Sequence, residues 1–247
     1  MQSLYGEGWR EARPTPLYDG HVRTSPFQKL ALACRSAATA MADPTRADAV
    51  AVLGEATGAL ALRRLHARMA RDSVGAEILA QRRRVTEATV DLGALGALPL
   101  GSFGRTYAEF MRAHAFSPDE RADTRFVDDA ALAYVMTRLR EVHDFWHVLV
   151  GLPPSVPGEI ALKWFELVQT GLPVSALSAL VGPLRLAPAE RAVVRRDYIP
   201  WAARAGRNCV FLLNVDYEAE LASGKGLCEL REELRIEPFQ HSSSSIH

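Results

Sequence analysis

Residues 151–157, Gly-Leu-Pro-Pro-Ser-Val-Pro, separate two stretches of helical periodicity and constrain the fold more than any other segment of this chain. Glycine commonly ends a helix and proline commonly begins one, so one helix ends here and a second starts. The chain is therefore expected to reverse direction. Glu159 then lies in the first turn of the returning helix, where it can face back toward the end of the preceding helix.

The preceding helix carries His143, Asp144 and His147, so that the whole pattern reads HDxxHx(11)E. Residues three and four apart share a helix face, so the two histidines stack one turn apart with Asp144 beside them. Two imidazoles and one or two carboxylates suit Zn²⁺ first, while Fe²⁺, Mn²⁺ or Co²⁺ accept the same mixed set. The four residues therefore predict a metal site between two consecutive helices.

Each of these residues also has an ordinary structural explanation. A pair of histidines four apart arises by chance in helical proteins rich in Arg and Ala. An acid in the first turn of a helix, such as Glu159, is favoured by the helix dipole without any metal. The combination of all four side chains in one helical hairpin favours the metal site over these explanations.

Elsewhere helical periodicity recurs and strand alternation is rare, which predicts a mostly α, single-domain helical bundle. Residues 92–104 are rich in Gly and Pro and are interpreted as a connector, while residues 210–213 fit either a strand or a buried helical turn. The predicted helix starts share a capping residue or a proline: Asp43-Pro44 for a helix to about Gly58, Ser117-Pro118 with Glu120, Asp128 or Asp129 for the histidine helix, and Pro188 for a helix reaching Trp201.

Composition agrees with one domain over residues 1–240, followed by a disordered tail at 241–247. The chain has 247 residues and is 48% hydrophobic, which is enough to bury a sizeable core. Lys and Arg together number 29 and so do Asp and Glu, which gives no broad positive field for nucleic acid. The three widely spaced cysteines argue against a disulfide scaffold.

The sequence contains no membrane span or secretory signal that hydropathy would reveal. No apolar run reaches the roughly 18 residues that a transmembrane helix needs. Residues 1–20 have two prolines and no apolar core, so they resemble neither a secretory signal nor a typical transit peptide. Any membrane association is therefore expected to be peripheral.

The run REVHDFWHVLVGLPPSVPGEIALKWFELVQTGL, residues 140–172, resembles the signature segment of the coenzyme Q biosynthesis protein 4 family. Further blocks follow in that family's order, namely LYDGHVRTSPFQKLALA, ADAVAVLGEATG, TRFVDD, GPLRL and IPWA. The resemblance extends from Leu17 to about Ile236. It implies that the family's metal ligands correspond to His143, Asp144, His147 and Glu159.

The resemblance implies a metal-dependent lyase of ubiquinone biosynthesis. The implied reaction removes the C1 carboxyl of 4-hydroxy-3-methoxy-5-polyprenylbenzoate, with oxidative loss and C1 hydroxylation as an open variant. It also implies a peripheral position on the matrix side of the mitochondrial inner membrane, among other enzymes of the coenzyme Q synthesis complex. Homo-oligomerisation stays open.

Two other classes of function are weighed against the lyase. The first is a non-catalytic scaffold that binds prenylated lipid, organises the synthesis complex and uses the metal structurally. The second is a metal-dependent phosphohydrolase, which the His-Asp pair suggests. That class needs a further His and a distal Asp at a two-metal site, and no convincing set is present.

Two cations near the predicted metal site are candidates for the catalytic machinery. Lys163 follows Glu159 by one helical turn and shares a face with Glu166, so an ordinary ion pair is the alternative. Arg140 precedes His143 by one turn and can bind a substrate carboxylate or simply pair with Asp144. The apolar stripe at residues 30–41 and the run at 174–184 suggest either lipid contact or core packing.

Overall fold

The computed structural model describes residues 15–43 and 46–240, and all regular secondary structure in these residues is helical. The only β-type pairing there is an isolated bridge between Ser102 and Gly226. The predicted mostly α fold is confirmed. The α-helices are α1 (Pro26–Ala42), α2 (Ala47–Thr57), α3 (Ala59–Ala70), α4 (Ser73–Gln81), α5 (Leu92–Gly96), α6 (Phe103–His114), α7 (Ala130–Glu141), α8 (His143–Val150), α9 (Val156–Thr170), α10 (Pro173–Val181), α11 (Pro188–Val193), α12 (Ile199–Asn208), α13 (Tyr217–Ala222) and α14 (Leu227–Glu233).

Helix α8 lies at the centre of the core, and each of its eight residues is buried. It packs against α6 and follows α7 with a single-residue break at Val142, where ψ is −3°. Phe145 stacks on Tyr217 and Trp146 packs edge-on against Phe165. A short helix surrounded on all sides has little freedom to move, which fixes the histidines that it carries.

The reversal between α8 and α9 forms as the sequence predicts. Gly151 ends α8 in the left-handed region with φ of 72°, which costs glycine little. The Ser155 hydroxyl accepts a hydrogen bond from the Gly158 N–H and so caps α9. A side chain at Gly158 would collide with the Pro153 carbonyl, so only glycine permits this tight turn. Glu159 consequently lies in the first turn of α9.

Around this hairpin, α9 packs against α10 on one side and α12 on another. Short segments of other helical types complete the chain. The 3₁₀ segments are Pro118–Glu120, Gly182–Arg185 and Leu212–Asn214, and a π-helical segment spans Val194–Tyr198. Residues 210–213 therefore contribute to a helical turn rather than a strand.

Several predicted helix boundaries differ from the structure. The helix expected from Asp43-Pro44 begins at Ala47, and Asp43 instead ends α1 by donating its N–H to the Thr39 carbonyl. Pro44 and the predicted tail at 241–247 lie outside the described residues. Ser117 caps only a single 3₁₀ turn, and the connector at 92–104 contains α5 and the start of α6.

The helix that starts at Pro188 does not end at Trp201. It continues through the π-helical segment into α12 and ends at Asn208. Pro200 has no N–H to donate to a preceding carbonyl, and the irregular turn lies directly before it. Its ring therefore marks a change in helix type instead of a helix end.

Helix α1 carries several exposed apolar side chains. Leu30 and Met41 are 61% and 55% exposed, and Cys34 between them is also exposed. This part of the predicted stripe therefore lies outside the core. Within the described ranges, no helix combines the length and the apolar character needed to cross a bilayer.

Candidate metal centre

Three of the four predicted ligands meet in the hairpin between α8 and α9. The Nε2 atom of His147 lies 3.0 Å from one oxygen of Glu159, and the Nε2 atom of His143 lies 3.6 Å from the other. One ligand atom from each residue lies within 4.8 Å of the other two. This spacing suits three protein ligands around one divalent ion, with room for a non-protein ligand.

The second nitrogen of each imidazole fixes which ring atom faces this centre. Nδ1 of His147 lies 3.1 Å from the Leu152 carbonyl, which can only accept, so this nitrogen carries the proton. Nδ1 of His143 lies 2.7 Å from the Glu166 carboxylate and donates to it. Both Nε2 atoms can therefore present a lone pair toward Glu159. Metal-binding histidines are commonly oriented by such outer partners.

The buried Glu166 carboxylate connects several groups behind His143. It accepts hydrogen bonds from the Lys163 ammonium at 2.8 and 3.0 Å and from the Ser175 hydroxyl at 3.2 Å. Lys163 thus pairs with Glu166 three residues later rather than with Glu159 four residues earlier. The sequence showed that Glu166 shares a face with Lys163, but it did not reveal the bond to His143, which joins residues 23 apart.

Asp144, the fourth predicted ligand, has a different partner. Its carboxylate is buried and forms an ion pair with Arg121, which lies in the segment before α7. The described ligand cluster of His143, His147 and Glu159 does not include it. Arg121 was not identified from the sequence, because nothing in a single chain shows that a residue 23 positions earlier folds back onto α8.

Arg140 binds neither Asp144 nor the ligand cluster. Its guanidinium donates to the Glu55 carboxylate and the Ala51 carbonyl, both at 2.8 Å. It also donates to the Ala122 carbonyl and the Thr124 hydroxyl. Arg140 therefore ties α7 to α2 and to the segment before α7. Its charge is neutralised by Glu55, which is almost fully buried.

An aromatic ring that the sequence gave no reason to select covers His147. Phe110 of α6 stacks on the imidazole, with ring centroids 5.8 Å apart and planes 23° apart. The His143 ring meets the His147 ring edge-on at 4.9 Å. These contacts restrict rotation of His147 about its side chain and shield one face of its ring.

The carboxylates of the centre are held in their ionised form. Burial raises the pKa of Glu166, but Lys163 and His143 outweigh burial and lower it to about 2. Burial also raises the pKa of Glu159, yet its bonds to His143 and His147 hold it well below the ordinary value. Burial and Lys163 lower the pKa of His143, while Glu159 and Glu166 raise it on balance. The centre therefore favours a cation, either protons or a metal.

A cavity of about 110 Å³ adjoins the centre and includes His143 in its wall. Apolar side chains of α2, α7 and α10, among them Val50, Met136 and Val174, line most of it. Besides His143, the wall contains six polar residues. They are Arg121, Arg140, Lys163, Glu166, Ser175 and Ser178.

Nearly the whole chain is similar to known proteins of one family. Residues 18–240 match the family model described as coenzyme Q (ubiquinone) biosynthesis protein Coq4. The human protein named ubiquinone biosynthesis protein COQ4 homolog, mitochondrial, is 51% identical over 90% of this chain and 83% of its own length. The fungal COQ4 of Laccaria bicolor is 41% identical over 95% of this chain and 82% of its own length.

A solved structure shows the same fold at lower sequence similarity. It is a crystal structure of a proposed ubiquinone biosynthesis protein from Nostoc punctiforme. Its TM-score to this chain is 0.67 at 22% identity, and the match covers 83% of this chain and 95% of the other.

Proposed function

This chain belongs to the Coq4 family of coenzyme Q (ubiquinone) biosynthesis proteins, and we propose that it is the lyase that removes the C1 carboxyl of 4-hydroxy-3-methoxy-5-polyprenylbenzoate. In the proposed reaction the bond from C1 to the carboxyl carbon breaks and carbon dioxide leaves. The electron pair remains on the ring, and C1 then takes a proton. The product is 2-methoxy-6-polyprenylphenol.

The observation that carries this proposal is that His143 belongs both to the ligand cluster and to the wall of the cavity. A substrate ring in the cavity would lie beside the metal centre. The donor set of two imidazoles and a carboxylate fits Zn²⁺, with Fe²⁺, Mn²⁺ or Co²⁺ as other candidates. When bound, such an ion supplies a Lewis acid that stabilises negative charge developing on the substrate.

The residues around the centre have separate roles in this proposal. His143, His147 and Glu159 hold the ion, and Asp144 is the fourth ligand that the family resemblance implies. Glu166 orients His143 through the 2.7 Å bond to Nδ1. Lys163 neutralises Glu166 and opposes protonation of the His143 imidazole.

The apolar part of the cavity wall suits the prenyl group of the substrate. Val50, Met136, Leu172 and Val174 offer hydrocarbon surface to this group. A volume of about 110 Å³ holds only part of a substrate with a long tail. The remainder of the polyprenyl chain would leave the cavity and stay in a lipid phase.

The names of the relatives and the helices of this chain support the proposed location. The human and fungal relatives are named mitochondrial, and the described helices contain no membrane span. We place the protein on the matrix side of the inner membrane, held peripherally beside other enzymes of the coenzyme Q synthesis complex. Carbonate washing of mitochondrial membranes should release it, whereas retention with integral proteins would contradict this placement.

Turnover by the purified protein tests the proposed activity. Zinc-loaded protein is incubated with a short-chain prenylated 4-hydroxy-3-methoxybenzoate labelled in its carboxyl group, and released carbon dioxide is counted. We expect carbon dioxide and the phenol to form in equal amounts. A hydroxyl at C1, in protein loaded with a redox-active metal, would show the oxidative variant. Absence of turnover with every metal, in folded protein that binds the substrate, would favour the scaffold function.

A further inference from the structure

Helix α1 carries an outward apolar face that the other described helices leave uncovered. Eight of its exposed residues recur three or four positions apart, which places them on one side of the helix. They are Phe27, Leu30, Ala31, Cys34, Arg35, Ala38, Met41 and Ala42, and together they are called the α1 face. Phe27 is 79% exposed, whereas Ser36 is the one buried residue of α1.

The composition of this face is unusual for a surface helix in water. The opposite side of α1 packs mainly against α2, so the helix is apolar both toward the protein and toward the outside. A surface helix of a globular protein normally carries charged and polar residues on its outer side. A contiguous exposed apolar patch instead marks a site that contacts another protein or a membrane.

Two exposed leucines extend the α1 face at the C-terminal end of the helix. The guanidinium of Arg185 donates to the carbonyls of Ala40 and Met41, which ties the segment after α10 to the last turn of α1. Leu184 directly precedes Arg185, and Leu180 lies about one turn earlier at the end of α10. Both leucine side chains are more than half exposed.

The α1 face adjoins the helices that form the cavity beside the candidate metal centre. Helix α2 packs against both α1 and α10, and it contributes Val50, Ala51 and Gly54 to the cavity wall. Helix α10 contributes Ser178, two residues before the exposed Leu180. The outward apolar surface and the cavity therefore rest on the same two helices.

The charges on the α1 face and at its end are basic. Helix α1 contains no Asp or Glu, and among the described residues no acid pairs with Arg35. Lys29 of α1 pairs with Asp128, and Arg185 donates to backbone carbonyls that carry no charge to neutralise it. Helices that lie on membranes combine an apolar face with Lys and Arg, which are attracted to anionic lipids.

A second copy of this chain fits the same surface less well. A two-fold contact would place one α1 face against another, and neither face has an acid for the Arg35 of the other. A guanidinium enclosed there would lose its water without gaining a partner, which is costly. On a membrane the guanidinium reaches the lipid phosphates while the apolar side chains enter the hydrocarbon boundary.

We propose that the α1 face, extended by Leu180 and Leu184, docks on the surface of an anionic lipid bilayer. The 17 residues of α1 span about 25 Å and lie in the plane of the membrane, since no described helix can cross it. Docking on this side brings the helices of the cavity against the lipid. The inference rests on the proposed function in one respect, namely that the polyprenyl tail of the substrate passes from the cavity into the bilayer.

Sedimentation of the whole chain with lipid vesicles tests the apolar part of the face. The vesicles contain phosphatidylcholine alone or phosphatidylcholine with phosphatidylglycerol. Phe27→Gln/Leu30→Gln removes two exposed apolar side chains, so the fold is preserved and vesicle affinity should fall at least about tenfold. Leu100→Gln is the matched control, because Leu100 is also 79% exposed but lies before α6. It should bind vesicles as the wild type does.

A charge substitution distinguishes an anionic bilayer from an uncharged apolar partner. Arg35→Gln should weaken binding to the phosphatidylglycerol vesicles about fivefold and leave binding to phosphatidylcholine alone unchanged. Added salt should have the same effect on the wild type. Arg207→Gln, at an exposed arginine of α12, is the control and should change neither affinity.

Cys34, near the middle of the α1 face, can report contact with lipid directly. In Cys228→Ser protein an environment-sensitive thiol probe attaches to Cys34, since Cys209 is buried. Its emission should shift to shorter wavelength when phosphatidylglycerol vesicles are added. A probe on Cys228 in Cys34→Ser protein should not shift, because α14 packs against α6 and takes no part in the α1 face.

Three results would overturn this inference. The first is wild-type vesicle affinity in Phe27→Gln/Leu30→Gln, and the second is an unshifted probe on Cys34. The third is a wild-type dimer, seen by light scattering, that the double variant loses while its vesicle binding persists. That result would assign the α1 face to a second copy of the chain.

Carbon dioxide release from the soluble short-chain substrate separates this inference from the proposed function. Phe27→Gln/Leu30→Gln should release it as the wild type does, because neither residue lines the cavity. Wild-type protein that turns over the substrate without binding vesicles would refute docking alone. Wild-type protein that docks through the α1 face without turnover would refute the proposed activity and leave the docking surface standing.

Discussion

Replacing Glu166 with glutamine should weaken metal binding although Glu166 touches no metal. The carboxylate accepts from His143 at 2.7 Å, from Lys163 twice and from Ser175 once. Glutamine keeps one acceptor oxygen, but its amide nitrogen cannot accept the remaining bonds. The variant therefore loses the charge that fixes the tautomer and the orientation of His143.

The magnitude follows from the number and type of the lost bonds. Loss of an outer partner of a metal-binding histidine typically weakens metal affinity by about tenfold to a hundredfold. This corresponds to roughly 1.4–2.7 kcal/mol of binding free energy. Because Lys163 also loses a charged partner, we expect the free energy of unfolding of the metal-free protein to fall by about 1–3 kcal/mol.

Zinc affinity is measured by competition with a chelator at fixed pH, and stability by urea unfolding of the metal-free protein. Glu218→Gln serves as the matched control, since Glu218 is an exposed carboxylate on α13. It should leave both quantities unchanged. Glu166→Gln protein with the zinc affinity of the wild type would refute the orienting role of this carboxylate.

Three further predictions concern the fold. Burial raises the pKa of the Cys209 thiol to about 12. A thiol reagent should therefore modify the two exposed cysteines of the native protein and reach Cys209 only after unfolding. Mass spectrometry of the labelled protein shows which cysteines have reacted. The buried Arg138 donates hydrogen bonds to two backbone carbonyls. Arg138→Met should therefore lower the free energy of unfolding by about 2–5 kcal/mol, while the zinc content stays normal. A free energy of unfolding within about 1 kcal/mol of the wild-type value would contradict this prediction. Burial raises the pKa of Asp216, but its bond to Arg83 outweighs burial and lowers the pKa below the ordinary value of 3.8. The pair therefore stabilises the folded protein above pH 3.8. This stabilisation is lost as the pH falls through the pKa of Asp216 in the folded protein. Asp216→Asn should therefore flatten the acid limb of the stability profile, measured by urea unfolding at several pH values, and an unchanged slope would count against the pair.

The parts of the centre that the sequence predicted depend on local rules. The two histidines share a face because residues four apart do so on any α-helix. Glu159 meets them because the segment 151–157 contains a glycine and prolines that permit only a tight reversal. Helix periodicity and turn chemistry were sufficient for these three residues.

The parts that were not predicted depend on contacts between distant segments. Arg121 and Asp144 pair across 23 positions, and Arg140 pairs with Glu55 across 85. Periodicity placed Arg140 near the histidines but could not show that its donors are used elsewhere. The preference of Lys163 for Glu166 over Glu159 likewise depends on the bond that fixes Glu166 to His143.

The predicted helix boundaries at Asp43 and Trp201 differ from the structure because local sequence signals do not show how the chain continues. A capping residue followed by proline marks a turn, but it does not show which of two helices the turn belongs to. Asp43 ends α1 instead of starting α2, since its backbone N–H closes the last turn. Trp201 lies inside a longer helix because the π-helical turn precedes Pro200 and the chain continues.

The central claim is that His143, His147 and Glu159 form one metal centre, and elemental analysis of purified variants tests it most directly. His147→Ala removes one of two imidazoles that no described neighbour can replace, while His114→Ala removes an exposed histidine outside the cluster and serves as control. Both proteins should remain helical by circular dichroism. We expect about one zinc per chain in wild type and in His114→Ala, and loss of most of this zinc in His147→Ala. Full stoichiometric metal in folded His147→Ala would contradict the account, because the metal would then be bound elsewhere.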